Sequence, residues 1–257
     1  MRRGNLKVRL IIGAGIILFS LFKYYSNREE NPYTGKKQSI TLTPKDEIAI
    51  GLLSAPQMAQ QHGGLHPSQE AQELVDKVGN SLINNSIAKQ TPYRYEFHLL
   101  RDSKAINAFA LPGGQIFITY ALFSKLENED QLAGVLGHEI GHVLGRHSAE
   151  RMAKQGLTQG LLSGVEVGTN SGGAGQMAAM VANAINMKYG RGDELESDDL
   201  GVKFMIKAGY EPEEMIGVMQ ILKAAAGPNK TPEFQSTHPD PENRIQKIKE
   251  AIKKYRK

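Results

Sequence analysis

Two histidines one helical turn apart are the side chains of this sequence best suited to bind a metal ion. His138 and His142 are separated by four positions, and Glu139 follows the first of them. On a helix, this spacing lets both imidazoles reach one ion at the distance that zinc requires. Glu139 lies about 100° around the helix from His138, so it can reach a water on the ion rather than the ion itself. The motif therefore predicts a zinc centre in which Glu139 acts as a general base and water attacks a carbonyl group.

Chance alone produces this five-residue pattern in about one chain in seventy of this length and composition, so the motif needs support from the rest of the sequence. The alternative is a surface helix with two solvated histidines. The surrounding segment is apolar, however, and its glycines at 134, 137, 141 and 145 permit close packing. Histidines without a bound ion would be costly to bury in such a helix.

An acidic segment further along the chain offers a third ligand. Asp193 is predicted to cap a helix that carries Glu194 and Asp198 one turn apart on the same face. One of these two carboxylates can bind zinc while the other accepts a hydrogen bond from a ligand imidazole. Glu196 is predicted to point elsewhere. The alternative is an acidic first turn whose charges only interact with the helix dipole.

Composition and charge exclude several other functions. The 257 residues include no cysteine, which excludes disulfides, thiolate zinc ligands and a thiol nucleophile. The net charge is +4, but residues 1–25 contribute +5 and residues 244–257 contribute +6. Residues 26–243 therefore carry the difference between +4 and +11, which is −7. A surface of that charge is poorly suited to phosphates, so no nucleic-acid partner is predicted.

A basic stretch followed by an apolar run opens the sequence. Four basic residues between positions 2 and 9 precede the apolar run 10–22, a pattern typical of an export segment. Because no small-residue cleavage site follows, we predict an uncleaved single-pass anchor over residues 1–26, with its N-terminus in the cytoplasm. The body would then lie in the periplasm, on the bacterial inner membrane. The alternatives are a cleaved periplasmic protein or, in a eukaryote, a protein of the mitochondrial inner membrane.

The remaining pattern predicts a mainly helical α+β fold, with a small β-sheet preceding the helix that carries His138. Residues 27–42 are a polar linker, and residues 43–257 are predicted to form one catalytic domain. Extended runs at 93–100, 105–111 and 116–119 predict the sheet, with a tight turn at the glycines 113 and 114. One helix is predicted to start at Thr43, the others cover 67–89, 130–155, 176–188, 193–208, 212–226 and 241–255, and 160–175 is predicted to be a loop or lid.

Four separated blocks of this sequence match a known pattern. They are residues 107–114, residues 135–142, the Glu-x-x-x-Asp motif at 194–198, and Ser-Thr-His-Pro at 236–239 with Arg244 six positions past the histidine. In these blocks the chain resembles the HtpX-like and Oma-like zinc metallopeptidases, the gluzincin-type metallopeptidase family forty-eight. The resemblance covers roughly residues 43–248. Ser197 stands where members of the family usually have alanine.

The resemblance implies a metallopeptidase fold and one Zn²⁺ per chain. It implies that His138, His142 and Glu194 bind the ion and that Glu139 is the catalytic base. Asp198 is implied to accept a hydrogen bond from a ligand imidazole.

The last of the four blocks contains a further candidate. His238 can act catalytically by stabilising the oxyanion, or it can bind zinc as a fourth ligand that keeps an enzyme latent. Its structural alternative is to cap the loop before Asp240. The other histidines are predicted to be structural: His147 faces away from the metal, and His62, His66 and His98 lie at the surface or in packing contacts.

Ala108, Phe109 and Ala110 can form a sheet edge that a substrate peptide joins as an extra strand. The alternative is an ordinary internal strand. Together these features predict an endopeptidase that cleaves unfolded or damaged envelope proteins as part of protein quality control. The competing hypothesis is a chaperone-like or scaffold protein with a structural or latent zinc site.

Overall fold

The computed structural model describes residues 6–169, 189–226, 232–238 and 243–256. Within these residues the chain is mainly helical and its short strands precede the helix that carries His138, so the predicted fold class is confirmed. The helices are α1 (Leu6–Ser26), α2 (Pro44–Gln61), α3 (Gln69–Asn84), α4 (Tyr120–Phe123), α5 (Glu129–Leu144), α6 (His147–Thr169), α7 (Arg191–Ala208), α8 (Glu214–Ala225), α9 (Glu233–Thr237) and α10 (Arg244–Tyr255), with a 3-10 turn at Ile87–Gln90. The strands are β1 (Arg28–Glu30), β2 (Lys37–Ser39), β3 (Glu96–Leu100), β4 (Ala108–Ala110) and β5 (Gln115–Thr119).

The chain divides into two compact units. One contains residues 1–43 and 148–187, and the other contains residues 44–147 and 188–257. All the residues predicted to form the site belong to the second unit. The division predicted from the sequence, into 1–26, 27–42 and 43–257, stays a prediction.

The first unit contains α1, a β-hairpin and α6 from Ser148 onward. Strands β1 and β2 pair in antiparallel fashion within the predicted linker. The amide of Asn31 closes the hairpin turn: its nitrogen donates to Gln38 Oε1 at 2.9 Å, and its oxygen accepts from the Tyr33 backbone N–H at 2.9 Å.

The N-terminal helix does not support the predicted anchor. Within the described residues, no helix combines the length and the apolar character needed to cross a membrane. Lys7 and Arg9 lie at the start of α1 and Lys23 lies near its end. The predicted single-pass anchor over residues 1–26 thus has no support from the helices that the structure describes.

The sheet of the second unit has the strand order β3-β5-β4. Strand β3 runs parallel to β5, and β4 pairs antiparallel with β5 so that Ala108 lies opposite Ile118. Gly113 and Gly114 form the predicted turn between β4 and β5, with φ values of +82° and +112°. This left-handed backbone favours glycine. Among the described residues, β4 lies at the edge of this sheet with β5 as its partner strand, and the predicted binding of a substrate strand at Ala108–Ala110 stays a prediction.

Helix α5 is the buried centre of the second unit, and glycines let α7 approach it closely. A Cβ placed on Gly137 would lie 3.3 Å from the Gly201 Cα, and one on Gly141 would lie 2.9 Å from the Ser197 Cα. The side chain of Asn128 starts α5 by accepting a hydrogen bond from the Gln131 backbone N–H at 2.8 Å. Because glycine disfavours a helix, this packing rather than local propensity stabilises α5.

The predicted helix 130–155 is wrong in one respect, because it breaks after Leu144. Gly145 ends α5, and Arg146 has a φ of +55° before α6 begins at His147. That conformation costs a residue with a side chain about 1 kcal/mol. The guanidinium of Arg146 donates from Nε to Glu47 Oε1 at 2.8 Å and from Nη2 to the same oxygen at 2.6 Å. This buried ion pair holds the corner.

Two further sequence predictions differ from the structure. The predicted loop or lid at 160–175 is helical as far as Thr169, and its remaining residues lie outside the described ones, as does the predicted helix 176–188. Asp193 does not cap α7, which starts two residues earlier than predicted. Its carboxylate instead accepts a hydrogen bond from the Gly190 N–H at 3.2 Å, inside the first turn.

Candidate metal centre

The two histidines of α5 and Glu194 of α7 converge on one point. His138 Nε2 lies 3.0 Å from His142 Nε2. Glu194 Oε2 lies 3.5 Å from His138 Nε2, and Glu194 Oε1 lies 3.5 Å from His142 Nε2. All three side chains are buried. Zinc with ligands at about 2.0–2.1 Å gives a tetrahedron whose edges are about 3.3 Å. The three groups therefore have the spacing of ligands on one tetrahedral ion.

Several buried polar atoms at this point have no hydrogen-bond partner among the described residues. They are both carboxylate oxygens of Glu139, Oε2 of Glu194 and Nε2 of His238. Buried polar groups without partners are rare in folded proteins, and several around one point indicate a missing cation or water. The donor set of two imidazoles and one carboxylate is one that zinc prefers. The residues present thus fit the zinc ion implied by the sequence.

Glu139 lies beside the ligand group and is fully buried. Burial raises the pKa of the Glu139 carboxyl, and the nearby His238 and His138 only partly oppose this effect. A raised pKa brings the proton affinity of a carboxylate closer to that of a general base working near neutral pH. His238 Nε2 lies 3.7 Å from Glu139 Oε1.

Asp198 holds His138 from behind, as the sequence predicted for one of the two carboxylates. Its Oδ1 lies 2.8 Å from His138 Nδ1, on the side of the ring opposite the ligand group. Arg244 of α10 donates to both oxygens of Asp198, from Nε at 2.6 Å and from Nη2 at 2.9 Å. Burial acts to raise the pKa of Asp198, but Arg244 and His138 outweigh it and hold the pKa below its usual value. Asp198 is therefore an ionised acceptor for the His138 N–H.

Arg244 also approaches the ligand carboxylate. Its Nη1 lies 3.3 Å from Glu194 Oε2. Burial alone would raise the pKa of Glu194, but His238, His138 and Arg244 lower it to about 2. Glu194 is consequently charged over the whole physiological range, as a metal ligand must be. The sequence pattern around His238 includes Arg244 but does not predict its partners. The structure shows that Arg244 forms ion pairs with Glu194 and Asp198.

His238 is brought into the same group. Its Nδ1 lies 3.1 Å from Glu194 Oε1 and 3.3 Å from His138 Nε2. These are again separations of ligands on one ion, so the four side chains His138, His142, Glu194 and His238 form one potential metal site. The ring of Phe234 stacks on His238 with centroids 4.4 Å apart. The geometry places His238 at the centre and leaves both of its predicted roles open.

Two residues near the centre make contacts that the sequence did not predict. His147 was predicted to face away from the metal, but its Nδ1 lies 2.9 Å from His142 Nδ1 and its side chain is buried. Glu196 was predicted to point elsewhere, and it does lie outside the ligand group, but its Oε2 contacts His147 Nε2 at 2.9 Å. His147 thus lies outside the ligand group but contacts His142, because α5 ends at Leu144 and the chain turns before residue 147.

Aromatic rings that the sequence analysis did not single out line the centre. Tyr189 stacks on His142 with ring centroids 3.8 Å apart, and Phe234 stacks on His238. Neither residue belongs to a recognisable motif: Tyr189 lies just before α7, and Phe234 lies in the short helix α9. His62, His66 and His98 are absent from the ligand group: His62 contacts Asp102, His66 stacks on Tyr120, and His98 contacts Gln115.

The comparisons with known proteins agree with this geometry. The model of peptidase family M48 matches residues 68–252. The chain therefore belongs to peptidase family M48. This confirms the family resemblance inferred from the four sequence blocks.

Individual relatives extend over most of the chain. A beta-barrel assembly-enhancing protease of Yersinia pestis is 32% identical over 225 residues, which are 83% of this chain and 45% of that protein. The mitochondrial metalloendopeptidase OMA1 of Schizosaccharomyces pombe is 28% identical over 247 residues, 95% of this chain and 70% of that protein. The metalloprotease YcaL of Escherichia coli K12 is 27% identical over 220 residues, 84% of this chain and 83% of that protein. The chain thus spans less than half the length of the Yersinia relative.

Proposed function

We propose that this chain is a zinc-dependent metalloendopeptidase whose ion is bound by His138, His142 and Glu194. The observation that carries the proposal is the convergence of these three side chains beside the unpaired, buried carboxylate of Glu139. Membership of peptidase family M48 supports it. One Zn²⁺ per chain is the cofactor that this donor set favours.

The reaction divides between the ion and Glu139. When bound, zinc supplies an electrophile that polarises the peptide carbonyl and makes a water acidic near neutral pH. The Glu139 carboxylate accepts the proton of the attacking water and transfers it to the leaving amine. The carboxylate is free to do so because no described group occupies either of its oxygens by hydrogen bonding. Asp198 and Arg244 keep the His138 ring in place throughout.

Substrates of this class would bind as extended peptides. Strand β4, Ala108–Ala110, pairs with β5 along one edge, and no strand of the described residues pairs with its other edge. A peptide that pairs with such an edge gains main-chain hydrogen bonds that do not depend on its sequence. We therefore propose that Ala108, Phe109 and Ala110 bind the substrate backbone, which suits unfolded protein substrates.

We further propose a role in the quality control of envelope or membrane proteins. The name of the Yersinia relative refers to β-barrel assembly, and that of the fission-yeast relative refers to the mitochondrion. The basic stretch and apolar run at the N-terminus are typical of exported proteins. The proposed site of action is the bacterial periplasm or, in a eukaryote, the mitochondrion.

A second candidate function is favoured by the position of His238. His238 Nδ1 lies 3.1 Å from Glu194 Oε1 and 3.3 Å from His138 Nε2, the separation expected between two ligands of one ion. Four protein side chains can therefore fill the coordination sphere of the ion. Structural zinc sites are closed in this way, whereas catalytic sites leave one position for water. The chain would then be a scaffold with a structural ion, or a latent enzyme in which His238 must leave the metal before cleavage.

The proposed activity is tested by measuring zinc content and cleavage of unfolded casein in the same samples. We expect about one Zn²⁺ per chain in both the wild type and Glu139→Gln, with cleavage by the variant reduced at least about 100-fold. Glu250→Gln removes an exposed carboxylate on α10 and is the matched control. Undiminished cleavage by Glu139→Gln would contradict the assignment of the base.

His238→Ala separates the two roles of His238 and the two candidate functions. If His238 keeps a latent enzyme closed, the variant cleaves casein faster than the wild type. If His238 stabilises the oxyanion, cleavage is reduced about 100-fold or more. Zinc at full occupancy with no cleavage by either protein would support the scaffold instead.

A further inference from the structure

A second imidazole stands directly behind the ligand His142. His142 Nε2 faces the ligand group, at 3.0 Å from His138 Nε2, while its Nδ1 faces His147 Nδ1 at 2.9 Å. The other nitrogen of His147, Nε2, lies 2.9 Å from Glu196 Oε2. His147 is completely buried, so water does not compete for these contacts. Three side chains thus form a line from the metal position to a carboxylate.

The proton positions along this line follow from the first ligand. If His142 binds the ion through Nε2, its remaining proton is on Nδ1 and is donated to His147 Nδ1. His147 Nδ1 must then offer a lone pair, so the proton of a neutral His147 is on Nε2, where it is donated to Glu196. Metal-bound histidines commonly donate their second N–H to such a partner, which fixes the orientation of the ring.

We propose that His147 is a positioning residue that holds His142 on the metal, with Glu196 fixing the tautomer of His147. This inference rests on the proposed zinc site. It adds a relay of two imidazoles and a carboxylate to the direct support that Asp198 gives to His138.

The corner between α5 and α6 is built around this imidazole. A Cβ on Gly145 would overlap the His147 ring, so only glycine leaves room for the imidazole at this position. Arg146 adopts its left-handed conformation there and is held by the buried carboxylate of Glu47. Without this turn, His147 would continue along α5 and would point away from His142. The backbone and its ion pair thus place the ring independently of any metal.

The same side chains also permit a different occupant. His147, Asp193 and Glu196 are close enough to hold a second metal ion. Asp193 Oδ1 is 3.9 Å from His147 Nε2, however, and its carboxylate already accepts a hydrogen bond from Gly190, whereas Glu196 is at hydrogen-bond distance from the ring. The relay therefore describes these contacts better than a second ion does. Two zinc ions per chain would overturn the relay.

The first test is zinc affinity, measured for the full chain by competition with a chelator. We expect His147→Leu, which fills the space but offers no acceptor, to bind zinc 10- to 100-fold more weakly than the wild type, about the effect of losing such a partner in other zinc sites. His147→Asn places an amide oxygen near the position of Nδ1 and should recover part of the loss. His66→Leu, at a histidine that stacks on Tyr120 outside the centre, is the control.

The second test needs no substitution, so it does not depend on how a variant folds. Nitrogen-15 NMR of the histidines in the zinc-loaded wild type should show His142 protonated on Nδ1 and His147 protonated on Nε2. A His147 that carries its proton on Nδ1 would overturn the proposal, as would equal zinc affinity of the wild type and His147→Leu. A wild type that binds no zinc would instead overturn the proposed metalloendopeptidase together with the relay.

Discussion

His138 and His142 occupy equivalent places in the proposed metal centre, but different side chains contact the ring nitrogens that face away from it. The carboxylate of Asp198 contacts His138 directly and is itself held by the guanidinium of Arg244. An imidazole, His147, stands between His142 and the partly exposed carboxylate of Glu196. The first arrangement is a buried ion pair of Asp198 with Arg244, whereas the second places an imidazole between His142 and a carboxylate. Charge therefore holds His138 in place, whereas the turn between α5 and α6 determines what contacts His142.

Packing differs between the two sides as well. Beside His138, Gly137 faces Gly201, and a Cβ there would be 3.3 Å from the nearest backbone atom. Beside His142, Gly141 faces Ser197, and a Cβ would be only 2.9 Å from the Ser197 Cα and backbone oxygen. The His142 side therefore has less room for an added methyl group than the His138 side.

The largest expected effect on stability is at the ion pair of Asp198 and Arg244 beside His138. Asp198→Ala leaves the Arg244 guanidinium buried without its main partner, and we expect it to lower the free energy of unfolding by about 3–5 kcal/mol. The neighbouring Asp199 offers a matched control, because it pairs at the surface with Lys254. Asp199→Ala should cost at most about 1 kcal/mol. Urea unfolding measures both, and equal losses would contradict the ionic account of this side.

Acid should lower the free energy of unfolding of the metal-free chain by protonating Glu194. The pKa of Glu194 is 4.5 in the unfolded chain and about 2 in the folded one. A lowered pKa stabilises the fold fully above pH 4.5, and the stabilisation is lost as the pH falls from 4.5 toward 2. At about 1.4 kcal/mol per unit of pKa, the loss is on the order of 3 kcal/mol. Urea unfolding across this range should show it, and Glu194→Gln should show a smaller pH dependence. An unchanged slope in the variant would disprove the link to Glu194.

Glycine-to-alanine substitutions on α5 compare how tightly α7 packs beside His138 and beside His142. Gly141→Ala would force Ser197 away from α5 and should reduce the free energy of unfolding by about 1–3 kcal/mol, the usual cost of overpacking. Gly137→Ala should cost less, because Gly201 leaves more space. Thermal unfolding of the two variants makes the comparison. The opposite ranking would show that α7 adapts more readily at Ser197 than at Gly201.

The smallest expected effect is at the end of the relay. Glu196→Gln keeps an oxygen that can accept the His147 N–H but removes the negative charge. We expect zinc affinity to fall by less than about tenfold, below the loss expected for His147→Leu. Chelator competition at constant pH measures the difference. A larger loss than that of His147→Leu would show that Glu196 acts on the centre by a route other than His147.

The ligand side of the centre could be predicted from the sequence because it depends on spacing within single helices. His138 and His142 are one turn apart on α5, as are Glu194 and Asp198 on α7, and helical geometry fixes which of them share a face. The sheet was also predictable, since Gly113 and Gly114 mark its turn. These features need no knowledge of how distant segments meet.

The support of His142 could not be predicted in the same way. In an unbroken helix, five residues turn the chain by about 500°, which places residue 147 about 140° away from His142. The helix ends at Leu144 because Arg146 takes a left-handed conformation, held by Glu47 from a helix about 100 residues earlier. The roles of Arg244 and Tyr189 likewise depend on tertiary contacts.

We propose that one zinc ion is bound between α5 and α7. The most direct test is anomalous diffraction at the zinc absorption edge, measured on crystals of the zinc-loaded chain. We expect one peak per chain, about 2.0–2.2 Å from His138 Nε2, His142 Nε2 and a Glu194 oxygen, with Glu139 outside the ligand set. The same map shows whether His238 or a water completes the coordination. A peak ligated by His147 and Glu196, or no peak between α5 and α7, would contradict the account.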